Sequence, residues 1–186
     1  MRRKDREMRA DFGFAVIDKA QYGVISMINQ KQEPYGIPLS MAREENTLYF
    51  HSAKDGEKVK AFKNNPHVTV TFVGDVRVPE IYTEEELDEL VVDEAQASIL
   101  IGSVFTTEYA SAFIRGVVTE VLNEGEKVKA MRLICEKYAP SKIKYFDLAI
   151  NAGLDKAKVY RIEIEEVTAK RKKYDDYGEE MKWGRG

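Results

Sequence analysis

Apolar positions along this chain recur at two spacings, and the change from one to the other marks where elements begin and end. His67–Val73 (HVTVTFV) alternates apolar and polar residues, the pattern of a half-buried strand. Tyr22–Asn29 (YGVISMIN) and Tyr35–Arg43 (YGIPLSMAR) are rich in β-formers and separated by the polar turn Gln30–Pro34. A second turn, Glu44–Asn46, leads into a third strand, Thr47–Ser52. Such short polar turns predict an antiparallel meander rather than βαβ units. Ile99–Thr106, Ala110–Leu122 and Val159–Thr168 read as further strands. The helical spacing appears in Asp11–Lys19, in Gly56–Asn64, in the long periodic Glu124–Tyr138 and in Pro140–Asn151. Asn64-Asn65-Pro66 supplies a stop for the second of these. The sum is mainly β, a β-barrel with α decoration.

Two stretches depart from the pattern. Residues of about 74–97 form an acidic insertion (TEEELDEL, then VVDEA) holding one short helix, with Thr83 as its cap and Glu84–Glu86 in its first turn. It reads as a solvated acidic helix without a site. The tail, Ala169–Gly186, carries a basic cluster, then acidic residues, then the chain's single tryptophan. Residues 1–168 are therefore expected to form the barrel domain. Residues 169–186 are expected to pack as a tail on that barrel or on a partner subunit, because Trp183 is costly to leave in water.

Composition narrows the function classes. The 29 Lys and Arg against 32 Asp and Glu give a net charge of −3, so no overall basic field points to nucleic acid. No apolar run approaches membrane-spanning length, and the N-terminal MRRKDREMRADF lacks the apolar stretch of a signal peptide. Cys135 is the only cysteine and cannot form an internal disulfide, which fits a reducing cytoplasm. It lies among Met131, Ile134 and Tyr138 on a helical pattern, so a buried thiol is expected there. The only histidines, His51 and His67, do not combine with one cysteine into a zinc site. Walker, Rossmann and G-x-S-x-G signatures are absent from the sequence. A barrel without side-chain machinery of its own suits an imported cofactor.

One junction carries ligand chemistry. Thr47–Val59 (TLYFHSAKDGEKV) joins a strand to a helix through a polar turn containing Gly56. A helix start presents unpaired N–H groups and a positive dipole end, both favourable to an anion. His51, Ser52, Lys54 and Lys58 stand beside it. The spacing fits two readings: a phosphate cradle, or a solvated turn with surface lysines.

Met1–Asp5 (MRRKD), Pro34–Ala42 (PYGIPLSMA), Leu48–Lys58 (LYFHSAKDGEK) and Asn65–Val73 (NPHVTVTFV) resemble the nitroimidazole-resistance (Nim-type) proteins. These belong to the pyridoxamine 5′-phosphate oxidase-like, FMN-binding split-barrel superfamily. Phe105–Gly116 and the terminal EEMKWGRG extend the resemblance nearly end to end. It implies a six-stranded split barrel with peripheral helices, a homodimer, and FMN in each cleft between subunits. The resemblance assigns the flavin ring and ribityl chain to Ile37, Pro38, Leu39 and Ser40, and the phosphate to His51, Ser52, Ala53, Gly56 and Lys58. Where the oxidase branch has a Ser-Arg-Lys triplet, this chain reads Gly56, Glu57 and Lys58, so Glu57 is expected to face outward and backbone N–H groups to share the binding. Ser111 matches a position that reaches the flavin from the partner subunit, while Trp183 and Arg185 occupy the region of C-terminal contacts.

The implied activity is reduction of small electrophiles, nitroaromatic or quinone-like, with flavin as the hydride carrier and His51 as the proton donor. His51 bound to the phosphate or to a carbonyl is the other reading of that residue, and His67 reads as a surface residue. The other functional class is a non-catalytic flavin- or haem-binding protein, because relatives of this barrel hold haem or a deazaflavin.

Overall fold

The strand patterns assemble into one antiparallel sheet. The computed structural model describes residues 3–90 and 100–182. Its strands are β1 (Glu7–Met8), β2 (Gly23–Ile28), β3 (Pro34–Leu39), β4 (Ala42–Glu44), β5 (Thr47–Ser52), β6 (His67–Arg77), β7 (Glu108–Glu120) and β8 (Lys158–Lys172). They lie in the order β3-β2-β6-β7-β8-β5-β4, with β1 on β8. Six of these are long, as the split barrel requires; the short β1 and β4 bring the described total to eight.

The expected meander of three strands does not form. Tyr35–Arg43 breaks at Ser40–Met41 into β3 and β4, which occupy opposite edges of the sheet. Pro34 and Pro38 explain why β3 is an edge: proline lacks the N–H that a second neighbour would need. Only two residues separate Leu39 from Ala42, so at ~3.8 Å per step the two edges lie within about 11 Å of each other at that point. The sheet therefore curls until its edges meet at one corner, without the edge strands pairing.

Curvature has a local source in β7 and β8. Their register slips between Arg115 and Gly116, a bulge that bends the longer strand. A Cβ at Gly116 would meet the Glu163 carbonyl oxygen at 2.3 Å, so only glycine allows the two backbones this close.

Helices fill both sides. α1 (Ala10–Lys19) packs into the barrel mouth with Ile17 wholly buried and Gly13 against Val167 and Ala169. α2 (Glu57–Asn64) closes the other side of the core, where the Phe62 ring meets Phe50 and Tyr160 at 5.9 and 5.3 Å. Burial of each such side chain contributes roughly 1.5–3 kcal/mol, and the same burial pushes the Tyr160 hydroxyl up to about 12. α3 (Glu84–Leu90) opens on the expected cap. The Glu86 N–H donates to Thr83 Oγ1 at 3.2 Å, and the Thr83 N–H donates to the Glu86 carboxylate at 2.8 Å. α4 (Glu124–Tyr138) covers the outer face of β5 and β8 through Ala130, Tyr49 and Val159. α5 (Phe146–Gly153) follows a 3₁₀ segment, Pro140–Tyr145.

Two further expectations differ from the fold. Of Ile99–Thr106, the described part forms a single π-helical turn, Leu100–Val104, instead of a strand. Ile101 and Phe105 are 75% and 78% exposed, and the Phe105 N–H closes locally on the Leu100 carbonyl at 2.7 Å. The last long strand also runs on to Lys172, past the expected end at Thr168.

Candidate functional site

The corner where the sheet edges meet is held from outside by the end of α4. Met41, fully buried, donates its N–H to Tyr138 Oη at 2.9 Å, and the Tyr138 hydroxyl donates back to the Met41 carbonyl at 3.0 Å. Lys137 Nζ donates to the carbonyls of Ile17 and Met41, both at 2.9 Å. Burial lowers the Lys137 pKa, against the opposing pull of Asp18, and burial raises that of Tyr138. Both polar atoms of one backbone unit are thus tied to a helix far away in sequence. No pattern in the chain marks Lys137 or Tyr138 for this task.

The corner draws the two expected ligand segments together. Ile37 and Leu39 turn inward against the core, whereas Pro38 stands on the outer face across from Val24. Ser40 follows, two residues before Ala42. Ala42 pairs with Tyr49, which lies two residues before His51. Ser40 lies two residues before Ala42 as His51 lies two after Tyr49, which sets the ends of Ile37–Ser40 and His51–Ser52 near one another although their strands never pair.

The phosphate set is divided by the strand. Successive side chains of β5 point to opposite faces. Ser52 joins Leu48 and Phe50 on the inner face and is 4% exposed, whereas His51 is exposed on the outer face, across from Val159. Ser52 Oγ donates its one hydrogen to the Ala53 carbonyl at 3.0 Å, so it meets an anion as a donor only after turning away from that carbonyl. The turn through Ala53 then reaches Gly56, whose φ of +134° is a conformation that side chains rarely adopt. Gly56 caps α2 without a side-chain hydrogen bond, so the N–H groups of the first turn are not taken by a cap. Glu57 is exposed, as expected. Its carboxylate accepts from Nδ2 of the buried Asn29 at 2.9 Å, which anchors it on the β2–β3 turn. Ser52, Gly56 and Lys58 thus follow one another into the first turn of α2, and His51 lies on the opposite face of β5 from Ser52. The uncapped first turn of α2 leaves backbone N–H groups free for an anion, with Lys58 on the same turn.

Ser111 sits apart from this corner. It lies on the outer face of β7, paired with Val73 and Lys170. Three strand spacings of ~4.8 Å separate β7 from β3, roughly 14 Å along the sheet. Trp183 and Arg185 lie outside the described residues. His67 is exposed, as expected, and its N–H donates to Asn65 Oδ1 at 3.0 Å. Cys135 is half-buried rather than buried. A cleft of about 470 Å³, lined by residues including Ser26, Pro34, His67 and Arg115, opens at the far end of β2 and β6 and holds none of the expected flavin residues.

The described part of the tail is fastened to the barrel. Arg6 grips the Glu180 carboxylate through Nε and Nη2, the latter at 2.9 Å. The buried Glu108 carboxylate accepts from Arg77 and from the Tyr174 N–H. Among the described residues, no three His, Cys, Asp or Glu gather as a metal site, and no helix is long and apolar enough to cross a membrane.

Comparison with known proteins adds a family. The profile described as pyridoxamine 5′-phosphate oxidase matches residues 13–171. No functionally curated protein matches the sequence. Among solved structures, the chain is similar to a candidate 5-nitroimidazole antibiotic resistance protein from Bacteroides thetaiotaomicron, with 20% identity and a TM-score of 0.66, over 89% of this chain and 86% of that one. It is also similar to an FAD-binding protein from Mesorhizobium loti, with 18% identity and a TM-score of 0.57, over 90% and 98%. A flavocytochrome from Azotobacter vinelandii shares 14% identity at a TM-score of 0.66, over 89% and 68%. At these identities the likeness is one of fold.

Proposed function

Because the chain belongs to the pyridoxamine 5′-phosphate oxidase family, we propose that it is an FMN-binding flavoprotein that reduces small electrophiles of nitroaromatic or quinone type. The observation that carries this reading is the meeting of Ile37–Ser40 with His51–Ser52 at one corner, next to the uncapped start of α2. The donor set fits a phosphate monoester. Lys58 supplies the cation, the first turn of α2 the N–H groups and Ser52 a hydroxyl once it turns from the Ala53 carbonyl, while Gly56 provides the backbone geometry that opens them. Pro38, Leu39 and Ser40 border the ring, and the Lys137–Tyr138 clamp on Met41 keeps that border rigid.

When bound, flavin supplies hydride or electron transfer. His51 lies off the phosphate face, exposed to solvent, and its imidazole N–H delivers a proton to the acceptor as reduction proceeds. Ser111 completes the cleft of a second subunit, in keeping with its distance from the corner of its own chain. A non-catalytic flavin- or haem-binding protein is the second reading; a flavocytochrome is among the proteins that share this fold.

An anaerobic experiment separates these readings. The purified protein should show a flavin absorption band. After chemical reduction, addition of a nitroimidazole or a quinone should reoxidise it. His51→Ala should slow that step and leave flavin content near normal. Release of flavin from His51→Ala would assign the histidine to cofactor binding. A wild-type flavin that stays reduced with every acceptor would establish the second reading.

A further inference from the structure

A second ligand site lies between the two helices outside the barrel. A cavity of about 150 Å³ opens there, bounded by Met131 and Cys135 of α4, Phe146 and Ile150 of α5, Leu154 just beyond, and Val159 of β8 as the floor. Every lining side chain is carbon or sulfur, so a water inside would find no side-chain partner. The space is open to solvent on one side, since only Phe146 and Val159 of its lining are buried, and an apolar occupant would displace water that finds no side-chain partner there. Two features select an aromatic ring over an aliphatic chain. The sulfurs of Met131 and Cys135 contact ring edges favourably, and the buried Phe146 ring offers an offset or edge-on partner.

We propose that this cavity binds a small, uncharged, monocyclic aromatic molecule. The site is independent of the flavin corner in its contacts, yet close to it. Val159 pairs directly with His51, and cross-strand partners share a face. An occupant therefore rests against the strand pair that carries His51, on the same side of the sheet.

Cys135 is the only cysteine and lines the cavity, so its alkylation reports occupancy. The rate of its reaction with N-ethylmaleimide is measured alone, with toluene and with benzoate, which carries the same ring and a charge. Toluene at ten times its Kd leaves about one chain in eleven open, so alkylation should slow saturably by roughly tenfold. Benzoate should leave the rate unchanged. Gly153 also lines the cavity, and an added Cβ there meets nothing within 4 Å, so Gly153→Leu adds apolar bulk at its rim without a clash at the Cβ. That variant, checked for an unchanged circular dichroism spectrum, should lose the toluene effect. If it fails to fold, the wild-type titration decides by itself. A wild-type rate indifferent to toluene, equal protection by benzoate, or full protection in folded Gly153→Leu would each overturn the proposal.

Discussion

Single residues at the phosphate corner make distinct demands. On the proposed reading, Lys58 gives the phosphate a charge-assisted contact worth roughly 1.5–3 kcal/mol. Lys58→Ala should therefore weaken FMN at least about tenfold, read by flavin fluorescence titration; unchanged affinity would remove Lys58 from the site. Gly116 faces a different constraint, since any side chain there runs into the Glu163 carbonyl and the Ile162 side chain. Gly116→Ala should cost about 1–3 kcal/mol of stability through overpacking, visible as a lower thermal midpoint. Gly56 was legible in the sequence because glycine before a helix start signals an unusual φ. Tyr138 was not: its hydroxyl serves Met41, a partner no local pattern connects to it.

At the level of elements, alternation located the strands well, because period-two burial is written directly into residues such as Val68, Val70 and Phe72. Pairing was less legible. The hairpin β2–β3 follows from its turn, but the partners of β5 and β6 depend on strands distant in sequence, and nothing near Ser40 announces that the chain changes edges there. The tail shows the same dependence on distant contacts, now through charge. Arg6, through its hydrogen bonds, holds the half-buried Glu180 carboxylate below its ordinary 4.5. A depressed folded pKa means that the stabilisation is complete above the unfolded value and is lost as pH falls through the folded one. Thermal unfolding across about pH 3–7 should accordingly show a smaller acid loss in Glu180→Gln than in wild type, with the variant less stable near neutrality. Parallel pH curves for the two proteins would show that the pair does not hold the tail.

For the whole molecule, the outer face of β6 and β7 bears on assembly. Val73 is 52% exposed there, beside the half-buried Thr71 and Phe113. On the proposed reading, with Ser111 on this face and flavin at the sheet edge, one chain leaves the cofactor cleft unfinished. Light scattering should return twice the 21.3 kDa of a single chain, and dilution to the monomer should release flavin. A flavin-retaining monomer would contradict the shared cleft.

The sheet order also fixes a timetable. β5 has only the three-residue β4 beside it until β8 arrives to pair along its full length. On a ribosome, roughly 100 residues separate the emergence of the two strands, about 5–20 s at ~5–20 residues per second. Through that interval Leu48, Tyr49 and Phe50, all destined for burial, sit on an open edge. The nascent chain is thus most exposed to misassociation late in its synthesis, and the strand that completes the barrel is also the one that ends the danger.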